Sequence, residues 1–279
     1  MTNLVWQADF YRRPLKETNG ESLWELLLCD TTQSFELSAF CRQSEVNASW
    51  LTAQLQQAIE THPAPDVIEV FRPQSLSLIE LAAHPLNLRV EATRRTPTLK
   101  QLLKERAKQY LNFSNYTGEA YDPVTLESPP PMPLPENLWG DRWRFAALPA
   151  GQLESAFQGR PIPILELPEP LLPLSLGLAS TVMVPGIAID GGRQSMRLAR
   201  WLEEAKPVAL NYIPGAPDGL ILEAGLVDRW IVATFEDREV KAAAQVYEQR
   251  KQLSQGLHFL LVQPDDTGMT YSGFWLLKF

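Results

Sequence analysis

The sequence predicts a two-domain α+β protein, and three features support that prediction. Its 279 residues exceed the length of one average domain. Three strand-like stretches joined by short turns open the chain, and alternating strand and helix patterns follow, in the order β-β-β-α-β-α-β-α. A stretch with five prolines in nine residues, SPPPMPLPE, then precedes a second mixed region. We therefore expect a ribonuclease H-like first domain and a mixed α/β second domain with an interior strand at its C-terminal end.

The first domain is predicted to span residues 1–112, and local signals mark its elements. Asn19-Gly20 is a turn signal between the first two strands. Asn47 or Ser49 can cap the first helix, which His62-Pro63 ends. Thr96 precedes a proline at the first position of the last helix. Predicted strands cover 4–11, 22–30, 34–41, 66–71 and 87–93, and predicted helices cover 50–60, 75–84 and 97–111.

Residues 113–137 are predicted to be a proline-rich linker, because such a run excludes a helix and an interior strand. The second domain is assigned to residues 138–279. A second proline-rich stretch, 160–173, is expected to run along its surface. The remaining patterns predict strands at 143–148, 184–189, 208–214, 220–226, 229–235, 257–263 and 271–279, with helices at 193–207 and 238–253.

Composition excludes several classes of protein. Apolar residues make up 45% of the chain, enough for full cores, and the formal net charge of −8 leaves only a local basic patch as a nucleic-acid site. The two cysteines and three scattered histidines form no metal-binding motif, so we expect neither metal nor cofactor. No secretory signal opens the sequence and no stretch suits a membrane span, so we expect a cytoplasmic protein without membrane insertion.

A ribonuclease H-like order raises the alternative of a metal-dependent nuclease, which needs several carboxylates converging on divalent cations. Asp9 lies in the first strand, where one metal ligand would be expected. Glu45 or Glu60 and Asp66 or Glu69 are the other candidates, although no spacing rule selects them. The simpler interpretation is that Asp9 caps a turn or pairs with Arg12 or Arg13. We therefore assign no catalytic residue and do not expect an enzyme.

Basic residues are concentrated between Arg89 and Lys108. Seven bases face only two acids in this segment. Three of its lysines are spaced by four residues and form one stripe of the predicted helix, opposite an apolar side. Arg106 projects toward that apolar side, so we expect it to be paired there or to line a cleft. The lysine stripe is either a solvated helix face or a phosphate-binding surface.

Aromatic residues adjoin bases in several places, as in Arg142-Trp143-Arg144-Phe145 and Arg229-Trp230. Single-stranded nucleic acid is held by such pairs, because rings stack on bases and cations meet phosphates. Buried aromatics beside surface arginines produce the same pattern, so both interpretations stay open.

Several long stretches resemble one known family. They are ADFYRRP with WELLLCD (8–30), TRRTPTL (93–99), LPENLWGDRWRFAALP (134–149), LILEAGLVDRW (220–230), QGLHFLLVQ (255–263) and GFWLL (273–277). The chain resembles the RNA-binding translation-activator family for photosystem I biogenesis in oxygenic phototrophs, as a bacterial homologue of its plastid members. The resemblance implies binding of A/U-rich leader RNA of a photosystem I message and promotion of its translation.

In that family a terminal Trp-Leu-Leu tripeptide is associated with RNA binding, and it maps onto residues 275–277, which Lys278 and Phe279 follow here. Alternation in a strand points Trp275 and Leu277 one way and Leu276 the other, so all three cannot meet RNA from one face. An alternative function is photosystem assembly through protein contacts, with translation machinery or assembly proteins as partners. The candidate RNA-binding residues are Trp275, Leu276, Leu277, Arg94, Arg95, Lys100, Lys104, Lys108, Arg229 and Trp230.

Overall fold

A computed structural model describes residues 4–278 of the chain. The chain divides into two compact units, and the division falls between Glu127 and Ser128. Both units combine helices with β-sheets, which confirms the predicted two-domain α+β class.

The first unit contains one five-stranded sheet with the strand order β3-β2-β1-β4-β5. Strands β1 to β3 pair antiparallel, whereas β4 and β5 run parallel to β1. The chain order is β-β-β-α-β-α-β-α, as predicted for a ribonuclease H-like domain. The strands are β1 (Val5–Lys16), β2 (Ser22–Asp30), β3 (Glu36–Arg42), β4 (Val67–Val70) and β5 (Val90–Ala92), and the helices are α1 (Ala48–Thr61), α2 (Pro73–Ala83) and α3 (Pro97–Tyr110).

Alternation along the strands gives this sheet two buried faces. Phe10 and the residues of β1 whose side chains point to the same face pack with α1 and α2. Leu51 of α1 and Ile79 of α2 belong to the same apolar cluster. Leu27 on the opposite face packs with Leu99 and Leu103 of α3. Asn47 caps α1, because its side-chain oxygen accepts a hydrogen bond from the Trp50 amide at 2.9 Å. The helices therefore form where the apolar periodicity predicts them.

The segment predicted as a linker is mostly exposed but makes contacts at several points. Tyr116 forms a bridge with Leu15, and Val124 packs against the α3 side of the first sheet. Farther along, Met132–Pro133 forms strand β6, which pairs parallel with strand β12 of the second unit, Asp228–Phe235. Prolines are tolerated in β6 because it lies at a sheet edge and pairs on one side only.

The second unit contains two sheets, with strand orders β10-β11-β12-β6 and β7-β9-β13-β14-β8. Strand β14 lies between β13 and β8, so the predicted interior strand at the C-terminal end is confirmed. The remaining elements are β7 (Arg142–Pro149), α4 (Ala150–Phe157), β8 (Ile164–Glu166), β9 (Met183–Asp190), α5 (Ser195–Ala205), β10 (Pro207–Ile213), β11 (Asp218–Ala224), α6 (Arg238–Leu253), β13 (Leu257–Gln263) and β14 (Gly273–Lys278).

One helix of this unit was missed, and one prediction was wrong. Helix α4 was not predicted, although its Leu153 and Phe157 are buried in the core. The stretch 160–173 does not run wholly along the surface, because Ile164 is buried and β8 pairs with β14. As an edge strand, β8 needs hydrogen bonds on one side only, which is compatible with the adjacent prolines.

None of the helices within residues 4–278 has the length and apolar content that crossing a bilayer requires.

Candidate nucleic-acid interface

Helix α3 separates an apolar face from a basic one. Leu99 and Leu103 are fully buried against the sheet, whereas Lys104 and Lys108 are exposed. The two lysines lie one helical turn apart. Across residues 4–278 no salt bridge engages either of them. Their charges are therefore available to an anionic ligand.

Lys100 belongs to the same predicted stripe but lies in a different environment. Its Nζ donates a hydrogen bond to the Arg94 carbonyl oxygen at 2.7 Å and lies 5.5 Å from the centre of the Phe71 ring. Burial, followed by the nearby Arg94 and Lys104 charges, lowers the pKa of Lys100 to about 8. Arg94 and Lys104 thus lie close enough to Lys100 to disfavour its charged form.

The other predicted bases of this region lie beside that cluster. Arg95 is exposed in the turn before α3, where its amide donates to Thr93 Oγ1 at 3.1 Å. Lys108 continues the row one turn beyond Lys104. We call Arg94, Lys100, Lys104 and Lys108 the α3 basic face, and it unites four of the predicted RNA-binding residues.

Asp9 is enclosed by arginines. Arg13 Nη1 donates to one carboxylate oxygen of Asp9 at 2.9 Å and Arg72 Nε to the other at 2.8 Å, and all three residues are buried. The predicted pairing of Asp9 with a neighbouring arginine is therefore confirmed. Within residues 4–278, no three His, Cys, Asp or Glu side chains converge as a metal site would require. The contact of Arg72 with Asp9 was not predicted, because the two residues are 63 positions apart in the chain and no local pattern links them.

Glu25 extends this network into the interior. It accepts hydrogen bonds from Arg13 Nε at 2.8 Å, from Ser38 Oγ at 2.7 Å, and from Arg106 and Tyr110. Burial alone would raise its pKa, but Arg13 and these hydrogen bonds hold the pKa of Glu25 below its ordinary value. The expected pairing of Arg106 on the apolar side of α3 is confirmed. Arg106 is thus engaged inside the domain and does not join the α3 basic face.

The tripeptide Trp275-Leu276-Leu277 lies wholly in the core. All three side chains have 0% exposure. Trp275 and Leu277 pack into one apolar cluster and Leu276 into another, as strand alternation predicts. Their association with RNA binding stays a prediction, and in this conformation they offer RNA no surface of their own.

Arg229 and Trp230 lie on strand β12 and are half-buried. The Trp230 ring packs edge-on against Trp201 of α5, with ring centres 5.3 Å apart. Along the strand, Arg229 is opposite Glu223 of β11. This predicted pair therefore belongs to the second unit, whereas the α3 basic face belongs to the first.

Helix α5 carries basic residues that the sequence analysis missed. Arg193 just before the helix and Arg197 and Arg200 within it are all exposed. Their spacing of four and three residues puts them along one side of the helix, and that spacing was a usable signal. No salt bridge in residues 4–278 engages them. We call these three residues the α5 arginine row.

Two family profiles match the chain. The one described as "RNA-binding protein Tab2/Atab2 N terminal" matches residues 5–106, and the one described as "RNA-binding protein Tab2/Atab2, C-terminal domain" matches residues 121–278. The chloroplastic TAB2 homologue of Zea mays is 30% identical over 283 residues, which cover 98% of this chain and 70% of that protein. The Arabidopsis thaliana homologue is 29% identical and covers 98% and 74%.

Solved structures resemble the chain only distantly. The HTLV-2 integrase catalytic core domain in complex with magnesium, in its trimeric form, is 13% identical, with 40% of this chain and 74% of that chain covered and a TM-score of 0.29. A simian T-cell lymphotropic virus intasome in complex with PP2A regulatory subunit B56 gamma is 15% identical, covering 52% and 65%, with a TM-score of 0.26. Likeness at this level supports no conclusion about function.

Proposed function

The chain belongs to the Tab2/Atab2 family of RNA-binding proteins, and on that premise we propose that it binds single-stranded RNA through the α3 basic face. The RNA is the A/U-rich leader of a photosystem I message, and binding promotes its translation. The protein acts in the cytoplasm as a binding protein and not as an enzyme.

The α3 basic face is the observation that carries the proposal. The four cations of the α3 basic face lie within and just before one helix of a protein whose net charge is −8. Lys104 and Lys108 are exposed without salt bridges in residues 4–278, although Lys104 lies near enough to Asp122 to contribute to lowering the pKa of that carboxyl. Lysines at one-turn spacing can neutralise phosphates of an extended strand, and the cations that they displace make such binding depend on salt.

The buried network around Asp9 supports the absence of cleavage. Both oxygens of its carboxylate already accept hydrogen bonds from guanidinium groups, at 2.9 and 2.8 Å. A divalent cation at this position would compete with two buried positive charges. RNA bound to this domain would therefore remain intact.

The test is a charge reversal on α3 with a matched control. Lys104→Glu with Lys108→Glu should remove two phosphate contacts, lowering the salt slope by about 1.4 and the affinity at 0.1 M salt about 25-fold. Arg42→Glu with Arg238→Glu makes the same charge change at exposed positions outside α3. Fluorescence anisotropy with a labelled A/U-rich oligonucleotide measures both, and circular dichroism melts verify folding.

The control separates a local site from a general charge effect. Equal losses of affinity in the two double variants would overturn the assignment to α3. Wild-type protein that binds no oligonucleotide at any salt concentration would instead support assembly through protein contacts. Crosslinking in cells followed by sequencing of the bound RNA tests the message, and recovery of a photosystem I leader is the expected result.

A further inference from the structure

Trp139 is a large aromatic residue that is both exposed and firmly held. Its side chain is 59% exposed. The indole N–H donates to the Leu134 carbonyl oxygen at 2.9 Å, and the amide of Trp139 donates to the Glu136 carbonyl oxygen at 3.2 Å. The next residue, Gly140, passes so close to the core that an added Cβ would lie 2.5 Å from Ile189 Cγ2. An exposed ring held in this way is already ordered for binding.

A pocket of about 430 Å³ opens beside this ring, within the second unit. Its volume falls in the range of small-molecule sites, about 300–1,000 Å³. The lining is mainly apolar and includes Trp143, Ile189 and Leu198, and Arg142 is its one charged residue among the described ones. The pocket therefore suits a flat, largely apolar group that has a negative charge attached.

The charge around the pocket indicates what that group is. Arg142 is 69% exposed and has a long 3.4 Å contact with Asp266, itself 56% exposed, which leaves it accessible to a ligand. Helix α5, which contributes Leu198 to the pocket, also carries the α5 arginine row.

The placement of charge along α5 is the reverse of what favours a helix. Arg193 precedes α5 and Arg197 lies in its first turn, whereas Arg200 lies in the middle of the helix and Glu203 and Glu204 lie near its end. The helix dipole favours acids at the beginning and bases at the end. Helix stability therefore does not explain Arg193 and Arg197, whereas attraction of an anion does, because the dipole adds to their positive potential.

We propose that this pocket holds one base of single-stranded RNA, stacked on Trp139, while Arg142 and the α5 arginine row meet the adjacent phosphates. Stacking on an aromatic ring accepts any base, because every base has a π-face. The inference rests on the proposed RNA binding and adds a second contact surface that does not use α3. An uncharged peptide side chain would fill the pocket equally well but would leave the arginines unexplained.

The experiment uses the full chain and an A/U-rich oligonucleotide that contains 2-aminopurine, an adenine analogue whose fluorescence falls on stacking. Trp139→Ala should weaken binding about 5- to 150-fold, the range for loss of one stacked base, and abolish the quenching. Trp139→Phe should retain most of both. Arg142→Gln should lower the salt slope by about 0.7, whereas Trp139→Ala should leave the slope unchanged.

Leu174→Ala is the control, since that side chain is 90% exposed elsewhere on the second unit. Suppose that the Lys104→Glu, Lys108→Glu variant binds RNA more weakly than the wild type, while Trp139→Ala keeps native affinity and native quenching. That result would overturn the proposed base-binding pocket and leave the proposed function standing. Absence of binding by the wild-type protein would instead overturn the proposed function. Loss of binding in both Trp139→Ala and Leu174→Ala would also overturn the pocket, because a general surface effect would then explain the result.

Discussion

Replacement of Trp275 by alanine tests whether the C-terminal strand acts through the core. The side chain has 0% exposure and belongs to a strand paired on both sides. Truncation of a buried tryptophan costs about 3–5 kcal/mol. For a domain of this size each kcal/mol shifts the melting temperature by about 2–4 °C, so Trp275→Ala should lower it by roughly 6–20 °C. Such a loss is a large share of a typical stability of about 5–15 kcal/mol.

Trp275→Phe is the matched variant. It removes only two carbons and the indole nitrogen, at a cost of about 2 kcal/mol from about 0.8 kcal/mol per buried group. The ring of Trp275 covers Gly273, where an added Cβ would overlap it, so a smaller ring leaves a gap at that point. The expected order of melting temperatures is wild type, then the phenylalanine variant, then the alanine variant.

The assay combines circular dichroism melts with RNA binding at a temperature where all three proteins are folded. Because no part of the tripeptide is exposed, RNA affinity of the folded alanine variant should equal that of the wild type. A melting temperature within about 2 °C of the wild type, the least change expected for a loss of about 1 kcal/mol, would refute the core assignment. A native melt with at least a tenfold loss of affinity, about 1.4 kcal/mol, would instead show that Trp275 meets RNA directly.

Two further perturbations test the buried polar groups. His258 is fully buried and its Nε2 accepts the Leu210 N–H at 2.9 Å, and burial followed by Lys251 lowers the pKa of His258 from 6.5 to about 3. The stability that this neutral ring contributes is complete above pH 6.5 and is lost as the pH falls toward 3. Lowering the pH from 7 to 5 should therefore reduce the free energy of unfolding, measured by urea denaturation, by about 2 kcal/mol. The His258→Gln variant should not show this loss. Asp9→Ala should cost about 3–5 kcal/mol in the same assay, because it leaves Arg13 and Arg72 buried without their carboxylate. RNA incubated with Mg²⁺ should stay whole with either protein, and cleavage by the wild type that Asp9→Ala abolishes would contradict the proposed absence of enzymatic activity.

The elements that could be predicted are those whose signals are local. Helix α1 has a side-chain cap at Asn47 and apolar residues at helical spacing, so its existence and start were readable. Helix α4 follows Pro149 without a side-chain cap and is only eight residues long, which is too short for its apolar spacing to stand out. The short edge strands β6 and β8 depend on pairing with strands far away in the chain, which sequence pattern does not record.

The candidate site divides in the same way. The sequence predicted that Lys100, Lys104 and Lys108 form one stripe of a helix. It could not predict the different environments of their side chains. Lys100 differs from Lys104 in being partly buried and in its contacts with the Arg94 carbonyl and the Phe71 ring. The pairing of Asp9 with Arg72 is likewise a product of tertiary structure. Charge is a property of the sequence, whereas the availability of that charge to a ligand depends on packing.

The net charge of −8 is compatible with the two proposed RNA-binding surfaces because charges act locally in salt solution. At physiological ionic strength, screening limits the interaction between exposed charges to a range of about 8 Å. Lys104 and Lys108 lie one turn apart, so their positive potentials add, whereas the negative potential of remote acids is screened. Binding at α3 must therefore weaken as salt rises. Stacking on Trp139 releases no counterions and should persist. In a plot of log affinity against log salt, the α3 variant should change the slope and Trp139→Ala only the intercept, which distinguishes phosphate contacts from base stacking.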